Sequence, residues 1–229
     1  MLKSIVLMSG GLDSAVSLAH ALRESEVSLC LTFNYGQQAA QKEIEAAANL
    51  AAYYHLRHQV VEIPFLGEIT DTALVRSEAA LPEPEFALLD EPVAAAANAA
   101  QVWVPNRNGL FINIAAAFAE ACGARQVVCG FNREEAAAFP DNSADFIQAA
   151  NSALFYSTKN QVKVISYTKL LSKADIVRLG MRRKVPFQYV WSCYRGGEKM
   201  CGRCESCLRF KRAAKEADLN IEQIAFQEV

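Results

Sequence analysis

A loop of two glycines, two serines and an aspartate lies between an apolar run, residues 5–8, and a helical pattern, residues 15–22. The loop residues are Ser9, Gly10, Gly11, Leu12, Asp13 and Ser14. Backbone N–H groups at the start of a helix carry partial positive charge, and glycines allow a phosphate to approach them closely. An acid beside a bound phosphate is chemically reasonable when Mg²⁺ lies between the two. The pattern therefore predicts a phosphate site with Mg²⁺ held by Asp13.

This loop also has a simpler interpretation as an ordinary junction between a strand and a helix. Glycine would then provide the turn, and Asp13 or Ser14 would only cap the helix. A cap does not require two glycines together with two serines, so we favour the phosphate site. The loop contains no lysine, which excludes the G-x-x-x-x-G-K-[ST] type of phosphate loop.

Four of the seven cysteines fall within fifteen residues of one another, with the spacing C-x7-C-x2-C-x2-C. They are Cys193, Cys201, Cys204 and Cys207. Four thiolates can surround Zn²⁺ as a tetrahedron, which is a structural site without an open position for chemistry. An iron–sulfur cluster is the alternative, because C-x2-C-x2-C also occurs in ferredoxins, but the usual further Cys-Pro is absent. The spacing predicts one structural zinc ion per chain.

Short apolar or β-branched runs alternate with helical patterns along most of the chain. The predicted strands are residues 4–8, 27–33, 59–63, 126–130 and 162–165, and the predicted helices are 14–23, 39–54, 109–121, 145–155, 173–179 and 208–216. This alternation predicts an α/β fold with an open parallel sheet and helices on both faces. In such sheets the ligand lies beyond the carboxyl ends of the strands, so the loops that follow them should line one cleft.

Smaller features refine this prediction. Cys30, Cys122 and Cys129 lie in apolar contexts and are expected to be small core residues. Ser172 begins the helix at 173, Gly180 is expected to end it, and Cys207 is expected to open the helix at 208.

Residues 81–101 interrupt the alternation of strands and helices. The segment contains three prolines, several acids and an alanine run, 94–97, which is expected to form a short helix. We expect a long excursion, mobile without substrate, which could serve a dimer. The prediction is a nucleotide-binding domain, residues 1–185, that includes this excursion, and a cysteine segment, residues 186–229, packed on it.

Composition limits where the protein works. Of its 229 residues, 52% are hydrophobic and 21% are charged, which is typical of a soluble globular protein. No apolar run approaches the roughly 20 residues needed to span a bilayer, and the first residues do not resemble a secretion signal. We therefore expect a cytoplasmic protein with reduced thiols and no membrane partner.

Basic residues are concentrated in the second half of the chain. Fifteen of the 23 lysines and arginines lie between residues 159 and 215, against three acids, whereas residues 1–157 contain 8 bases and 18 acids. A positive segment favours polyanions such as ATP, pyrophosphate or RNA. The alternative is a solvated face on which these charges are scattered.

The loop of residues 9–14 resembles the S-G-G-x-D-S signature of the PP-loop ATP pyrophosphatase superfamily, which has an adenine nucleotide alpha hydrolase type of fold. The resemblance implies that the loop binds the β,γ-diphosphate of ATP. It also implies that ATP is cut between its α and β phosphates, which gives an adenylated substrate and pyrophosphate.

Residues 104–108 and the cysteine segment 191–207 extend the resemblance to the 7-cyano-7-deazaguanine synthase family, over almost the whole chain. It implies a ligase that makes 7-cyano-7-deazaguanine from 7-carboxy-7-deazaguanine, ammonia and ATP in queuosine biosynthesis. One segment departs from the family pattern. At residues 133–143 Pro140 and Asp141 are retained and Glu135 replaces an aspartate, whereas Asn142 and Ser143 replace Cys and Arg.

The resemblance also implies roles for individual residues. Asp13 would help to hold Mg²⁺, Arg107 would neutralise the phosphates or the substrate carboxylate, and Lys173 would approach the phosphates from the opposite side. Glu135 and Asp141 would accept hydrogen bonds from the guanine-like edge of the base. The alternatives are that Arg107 only ties down the loop before its helix, that Lys173 is an exposed residue in the first turn of a helix, and that Asp141 caps the following helix. The residues predicted to bind ATP are Met8, Ser9, Gly10, Gly11, Leu12, Asp13, Ser14, Ala15, Val16, Ser17 and Leu18.

Two other functions remain open on the sequence. A PP-loop enzyme that adenylates a tRNA base, such as a thiolase or a lysidine synthetase, would fit the basic C-terminal half, although no long RNA-binding appendage is present. A zinc-ribbon interaction module on an inactive nucleotide fold is the second, against which the intact loop argues. We expect small-molecule substrates, no direct nucleic-acid partner and a homodimer.

Overall fold

The structure is a computed structural model that describes residues 1–222 and 224–227. Residues 223, 228 and 229, which belong to the predicted cysteine segment, lie outside the described residues. The division into residues 1–185 and 186–229 stays a prediction. Among the described residues, none of the helices has the length and apolarity needed to cross a membrane.

Parallel strands form one five-stranded sheet in the described part of the chain. They are β1 (Lys3–Leu7), β2 (Glu26–Asn34), β3 (His58–Glu62), β4 (Gln126–Val128) and β5 (Lys163–Ile165). The strand order is β3-β2-β1-β4-β5, and every pair is parallel. The predicted α/β fold with a parallel sheet is confirmed. Because the strand order reverses at β1, the loops after β1 and β4 open into the crevice where such sheets bind ligands.

Helices connect the strands and cover both faces of the sheet. They are α1 (Leu12–Glu24), α2 (Ala40–Tyr53), α3 (Phe65–Glu68), α4 (Pro92–Gln101), α5 (Arg107–Ala121), α6 (Arg133–Ala136), α7 (Ala144–Ser157), α8 (Lys173–Arg183) and α9 (Glu205–Glu216). Successive side chains of a strand point to opposite faces, so Val6 packs with α1, α2, α8 and α9, while its neighbour Ile5 packs with α5 and α7. The cysteine segment shares the first of these two cores.

Helix α8 ends later than predicted. Gly180 does not end it, and the chain leaves the helix at Lys184, which has a left-handed backbone with φ of 56°. The glycine is required by packing instead. A Cβ atom at Gly180 would lie 2.7 Å from the ring of Phe187 and 2.9 Å from Val16.

Two of the cysteine predictions are wrong. Cys122 is exposed at the end of α5, because α5 faces the sheet with only one side. Helix α9 begins before Cys207, with Cys204 as its N-cap, so Cys207 lies inside the first turn of the helix. Cys30 and Cys129 are buried, as predicted.

The excursion at residues 81–101 contains one 3-10 turn, Phe86–Leu88, and helix α4, which includes the predicted alanine helix. Two of its acids contact arginines of the C-terminal basic segment. Glu83 accepts hydrogen bonds from Arg195 at 2.7 Å and from Arg203 at 3.0 Å. Asp90 contacts two arginines of α9 in the same way. The acids of the excursion therefore neutralise part of the basic segment, and the predicted mobility of the excursion stays a prediction.

Candidate active site

The glycine and serine loop joins β1 to α1, as its sequence predicts. Gly11 is the N-cap of α1 in an extended conformation, with no side-chain hydrogen bond to cap the helix. The N–H of Leu12 donates to the hydroxyl of Ser192 at 3.4 Å, which leaves the N–H groups of Asp13 and Ser14 for a ligand. The hydroxyls of Ser9 and Ser14 lie 3.2 Å apart, and Ser14 also donates to the carbonyl of Gly11 at 3.0 Å. The loop thus presents hydroxyls and helix N–H groups together, which suits an anion.

Gly10 fixes the distance between this loop and α2. Its φ is 76°, in the left-handed region, and a Cβ atom there would lie 2.7 Å from the Cβ of Ala46 and 2.8 Å from the carbonyl oxygen of Glu43. Either α2 or the loop would have to move to accommodate a methyl group.

We expect Gly10→Ala to weaken ATP binding by about tenfold or more and to lower stability by about 1–3 kcal/mol, because it combines backbone strain with a clash. Gly123→Ala is the matched control, since Gly123 has a φ of 72° with no heavy atom near its added Cβ. Calorimetric titration with ATP should detect the defect in the first variant alone. Equal ATP affinity in the two variants would contradict this explanation of Gly10.

A lysine and two carboxylates meet beside the loop. Lys173, the first residue of α8, contacts the carboxylate of Asp13 and lies 2.6 Å from that of Glu135. A capping box between Ser172 and Asp175 begins α8 at Lys173, and this predicted helix start is confirmed. The side chain of Asn132 accepts from the N–H of Glu135 at 2.9 Å, which holds α6 in place. Three separate elements, α1, α6 and α8, therefore position this group of charges.

Burial and mutual contact shift the pKa values of these three side chains. Burial raises the pKa of Asp13 to about 6, although Lys173 acts in the opposite direction. Burial disfavours the charged form of Lys173, but Asp13 and Glu135 outweigh it and raise the pKa of the ammonium. Burial likewise acts against the charge on Glu135, and Lys173 outweighs it, so the pKa of Glu135 is lowered. Lys173 therefore stays charged at neutral pH.

Glu134 links the catalytic lysine candidate to α9. Its carboxylate accepts from the backbone N–H of Lys173 at 2.7 Å and from Arg212 at 3.1 Å. Arg212 and Arg209 both contact Asp90 of the excursion. The start of α8, the C-terminal helix and the excursion are thus joined by one set of charged contacts.

Arg107 lies at the start of α5, on another side of the cleft. It donates to the hydroxyl of Tyr35 at 3.3 Å. Burial raises the pKa of Asp141 above its usual value, and the nearby charge of Arg107 offsets only part of this effect. The lining of the cleft includes Asn142 but, among the described residues, not Asp141. Asp141 also does not cap α7, because Ser143 does so.

The cleft has a volume of about 270 Å³ and reaches from the loop to the first turn of α9. Of the residues predicted to bind ATP, six line it: Met8, Ser9, Gly11, Leu12, Asp13 and Ser14. The four that follow are buried in α1: Ala15, Val16, Ser17 and Leu18. Gly10 packs against α2. Arg107, Lys173 and Glu135 also line the cleft.

The four clustered cysteines are buried, and one of them, Cys193, also lines the cleft. Their sulfur atoms all lie within 4.8 Å of one another. Backbone N–H groups donate to two of the sulfurs, from Arg195 and Cys201 to Cys193 and from Cys204 to Cys201, at 3.3–3.4 Å. Such contacts favour thiolates. The cluster therefore has the geometry to hold a metal ion.

Several residues in the cleft or next to it were not identified from the sequence; Tyr35, Tyr194 and Glu205 line the cleft, and Glu134 contacts Lys173 beside it. Tyr35, Glu134, Tyr194 and Glu205 each have a role in the geometry, but none belongs to a spacing pattern. Burial and the carboxylates of Glu205 and Glu135 raise the pKa of the Tyr194 hydroxyl, so this hydroxyl lies near both. The sequence signal that could have found three of them is their position next to a predicted site residue. Glu134 precedes Glu135, Tyr194 follows Cys193, and Glu205 follows Cys204.

Comparison with known proteins decides the family. The chain matches the family model described as queuosine biosynthesis protein QueC over residues 3–218. The chain belongs to the QueC family. The loop and the cysteine cluster both lie within the matched residues, so the predicted family is confirmed by the same motifs that suggested it.

Relatives within the QueC family are similar along their whole length. A 7-cyano-7-deazaguanine synthase from Pelotomaculum thermopropionicum is 64% identical over 221 residues, which are 96% of this chain and 100% of the relative. Proteins of the same name from Desulforamulus reducens and Desulforudis audaxviator are 59% and 58% identical. They match 97% and 94% of this chain and 97% and 98% of their own lengths.

Proposed function

We propose that this cleft uses ATP to convert 7-carboxy-7-deazaguanine and ammonia into 7-cyano-7-deazaguanine through adenylated intermediates. Membership of the QueC family and the names of the relatives confirm the predicted synthase function in queuosine biosynthesis. What remains a proposal is the role of each residue. The observation that supports these roles best is the meeting of Asp13, Lys173 and Glu135 beside the loop.

The chemistry begins with a carboxylate, which is a poor acyl donor because its leaving group would be an oxide or hydroxide. Attack of a carboxylate oxygen on the α-phosphorus of ATP forms a new P–O bond and releases pyrophosphate. Ammonia then forms a C–N bond while AMP leaves, and one proton is released. A second adenylation on the amide oxygen allows AMP to leave again, with loss of two protons, to give the nitrile. The protein aligns the reactants and neutralises phosphate charge.

Asp13 suits a magnesium ligand. Its Oδ2 contacts Lys173, whereas its Oδ1 is buried with no hydrogen-bond partner in the described part of the chain. A buried carboxylate oxygen without a partner is costly, and Mg²⁺ prefers such oxygen ligands together with phosphates. When bound, the ion would neutralise the phosphate oxygens that the loop holds.

Lys173 is our proposed electrostatic partner of the α-phosphate. Its ammonium is held by Asp13 and Glu135 at the edge of the cleft, next to the loop. Negative charge grows on the α-phosphate as the carboxylate attacks it, and a fixed ammonium in a buried site stabilises that charge. Arg107, held by Tyr35, is the second proposed cation, and it would bind the phosphates or the substrate carboxylate.

Glu135 and Asp141 remain our proposed acceptors for the guanine-like edge of the base. Lys173 contacts only one carboxylate oxygen of Glu135, which leaves the other for the base. Asp141 adjoins Asn142, which lines the cleft.

Zinc is our proposed ion for the cysteine cluster. A tetrahedron with Zn–S distances of about 2.3 Å places sulfurs about 3.8 Å apart, and the sulfurs of Cys201 and Cys207 are 4.0 Å apart. All four cysteines are buried. Four thiolates leave no open position, so one zinc ion per chain would hold the segment together rather than bind substrate.

A homodimer, the absence of a direct nucleic-acid partner and a cytoplasmic location are also proposals. Four arginines of the basic segment contact acids of the excursion, which leaves less positive charge for RNA. Phe86, Leu88 and Val93 of the excursion are exposed apolar side chains that a second copy could cover. Sedimentation velocity tests the dimer, and tRNA binding at several salt concentrations tests the RNA-modifying alternative.

A turnover assay tests the proposed function directly. Metal-loaded protein is mixed with ATP, Mg²⁺, ammonium and 7-carboxy-7-deazaguanine, and the nitrile is measured by mass. We expect AMP, pyrophosphate and the nitrile to form together. Pyrophosphate release with a tRNA and none with the deazaguanine acid would instead support the RNA-modifying alternative.

Acid should weaken Mg-ATP binding through Asp13. Its pKa is raised to about 6, and protonation removes the charge that holds Mg²⁺. Below pH 6 the dissociation constant should therefore rise by up to about tenfold per pH unit, since one proton competes with the ion. Calorimetric titration between pH 5 and about pH 8 measures this slope.

The matched control for this pH dependence is Asp13→Asn. This variant should bind Mg-ATP weakly at every pH. Any pH dependence that it retains comes from protonation of the nucleotide itself. If the dissociation constant of Mg-ATP rises no more steeply with acid in the wild type than in this variant, Asp13 does not bind the metal ion.

A further inference from the structure

Glu205 is a buried carboxylate in the cleft that the proposed roles do not use. It is the first residue of α9 and is 5% exposed. Its Oε1 accepts from Arg209 at 3.0 Å. Its Oε2 is also buried, and no residue of the described ranges 1–222 and 224–227 forms a hydrogen bond with it. A buried charged oxygen without a partner costs free energy, which a bound ligand would recover.

The charges around Glu205 favour a cation at this end of the cleft. Asp13 and Glu135 supply two negative charges there, and Lys173 supplies one positive charge between them. Arg209 and Arg212 together contact three carboxylates, those of Glu205, Asp90 and Glu134, so the two guanidinium groups do not balance all three. The cleft wall around Glu205 is therefore negative overall and would attract a small positive ligand.

The number of free oxygens limits what this ligand can be. Arg209 already occupies Oε1 of Glu205, so one buried oxygen is left to accept a hydrogen bond. One free oxygen suits a small cation that carries several N–H donors. Tyr194 also lines the cleft.

Glu205 shares the cleft with the loop and with Lys173, where the proposed acyl-adenylate would form. We propose that Oε2 of Glu205 binds ammonium, which loses one proton to water to become the ammonia that attacks the acyl-adenylate, and that Arg209 positions this carboxylate. This inference rests on the proposed function and assigns its nitrogen substrate to a site. The base stays with Glu135 and Asp141.

Kinetics of Glu205→Gln test the assignment. Loss of a charged hydrogen-bond acceptor should raise KM for ammonium about ten- to hundredfold. The KM values for ATP and for the deazaguanine acid, and kcat at saturating ammonium, should change by less than about twofold. Glu198→Gln is the matched control, because Glu198 is an exposed acid of the same segment, and all its constants should match the wild type. An unchanged KM for ammonium, or a raised KM for the acid instead, would overturn the assignment.

A second experiment uses the wild-type protein and so does not depend on how the variant folds. Rubidium ions are close to ammonium in size and scatter X-rays anomalously. Rubidium chloride should inhibit competitively against ammonium but not against ATP, and crystals soaked in it should show an anomalous peak beside Oε2 of Glu205. No peak there, with no competition, would refute the site.

The two proposals fail in different ways. Metal-loaded wild-type protein that makes no nitrile from the acid, ATP and ammonium refutes the proposed function itself. If the nitrile is formed but Glu205→Gln keeps its KM for ammonium and the rubidium peak is missing, only the ammonium site is refuted.

Discussion

Replacing Lys173 by methionine is expected to lower the rate of pyrophosphate release by about 10²–10³-fold, because a fixed ammonium beside the α-phosphate is lost. Single-turnover release of pyrophosphate with ATP, Mg²⁺ and the deazaguanine acid measures the effect. Lys169→Met is the matched control, since Lys169 is an exposed lysine four residues earlier. A rate within tenfold of the wild type would show that Lys173 does not stabilise the transition state.

Stability must be separated from catalysis in this variant. Without Lys173, the carboxylates of Asp13 and Glu135 face each other in a buried site, and breaking such a contact costs about 3–5 kcal/mol. The double variant Lys173→Met with Glu135→Gln removes one of the two charges. It should regain much of the thermal stability while its pyrophosphate release stays low. If thermal stability and the rate of pyrophosphate release both recovered, misfolding alone would have caused the slow release in Lys173→Met.

Removal of the proposed zinc ion should have the largest effect on stability. Structural zinc binds thiolate sites with about 10–16 kcal/mol of apparent free energy, whereas the net stability of a domain is about 5–15 kcal/mol. The binding free energy that is lost with the ion is therefore about as large as the net free energy of unfolding of a whole domain. We expect Cys204→Ser, or treatment with a strong chelator, to unfold the cysteine segment and to abolish turnover.

Cys122→Ser is the control for the cysteine substitution, because Cys122 is exposed and lies outside the cluster. It should retain both the metal and the melting temperature of the wild type. Elemental analysis with an absorption spectrum identifies the ion: a colourless protein with one zinc per chain is expected. A brown protein that contains iron and labile sulfide would refute zinc.

Much of the fold follows from local patterns in the sequence. Each of the five strands is a short apolar run next to a helix, so the parallel sheet could be predicted from the alternation alone. The loop at residues 9–14 and the four cysteines were identified because their chemistry requires fixed spacing. Such short-range constraints can be seen without a structure.

The rest of the site depends on contacts that are distant in sequence. Glu134 reaches Arg212 across 78 residues, and Arg209 meets Asp90 across 119. No local pattern predicts which acid pairs with which arginine. Gly180 shows the same limit: Val16, which is distant in sequence, and the ring of Phe187 together make glycine necessary there, whereas the local pattern favours a helix end.

The central position of β1 has a consequence for how this protein folds during synthesis. Residues 3–7 leave the ribosome well before residues 126–128, yet β1 pairs with β2 on one side and with residues 126–128 on the other. The edge of β1 that faces β4 therefore stays open until β4 has been made, and an open apolar edge can pair with other chains. We expect nascent chains that stall before residue 126 to aggregate and to recruit chaperones, whereas the completed chain buries this edge.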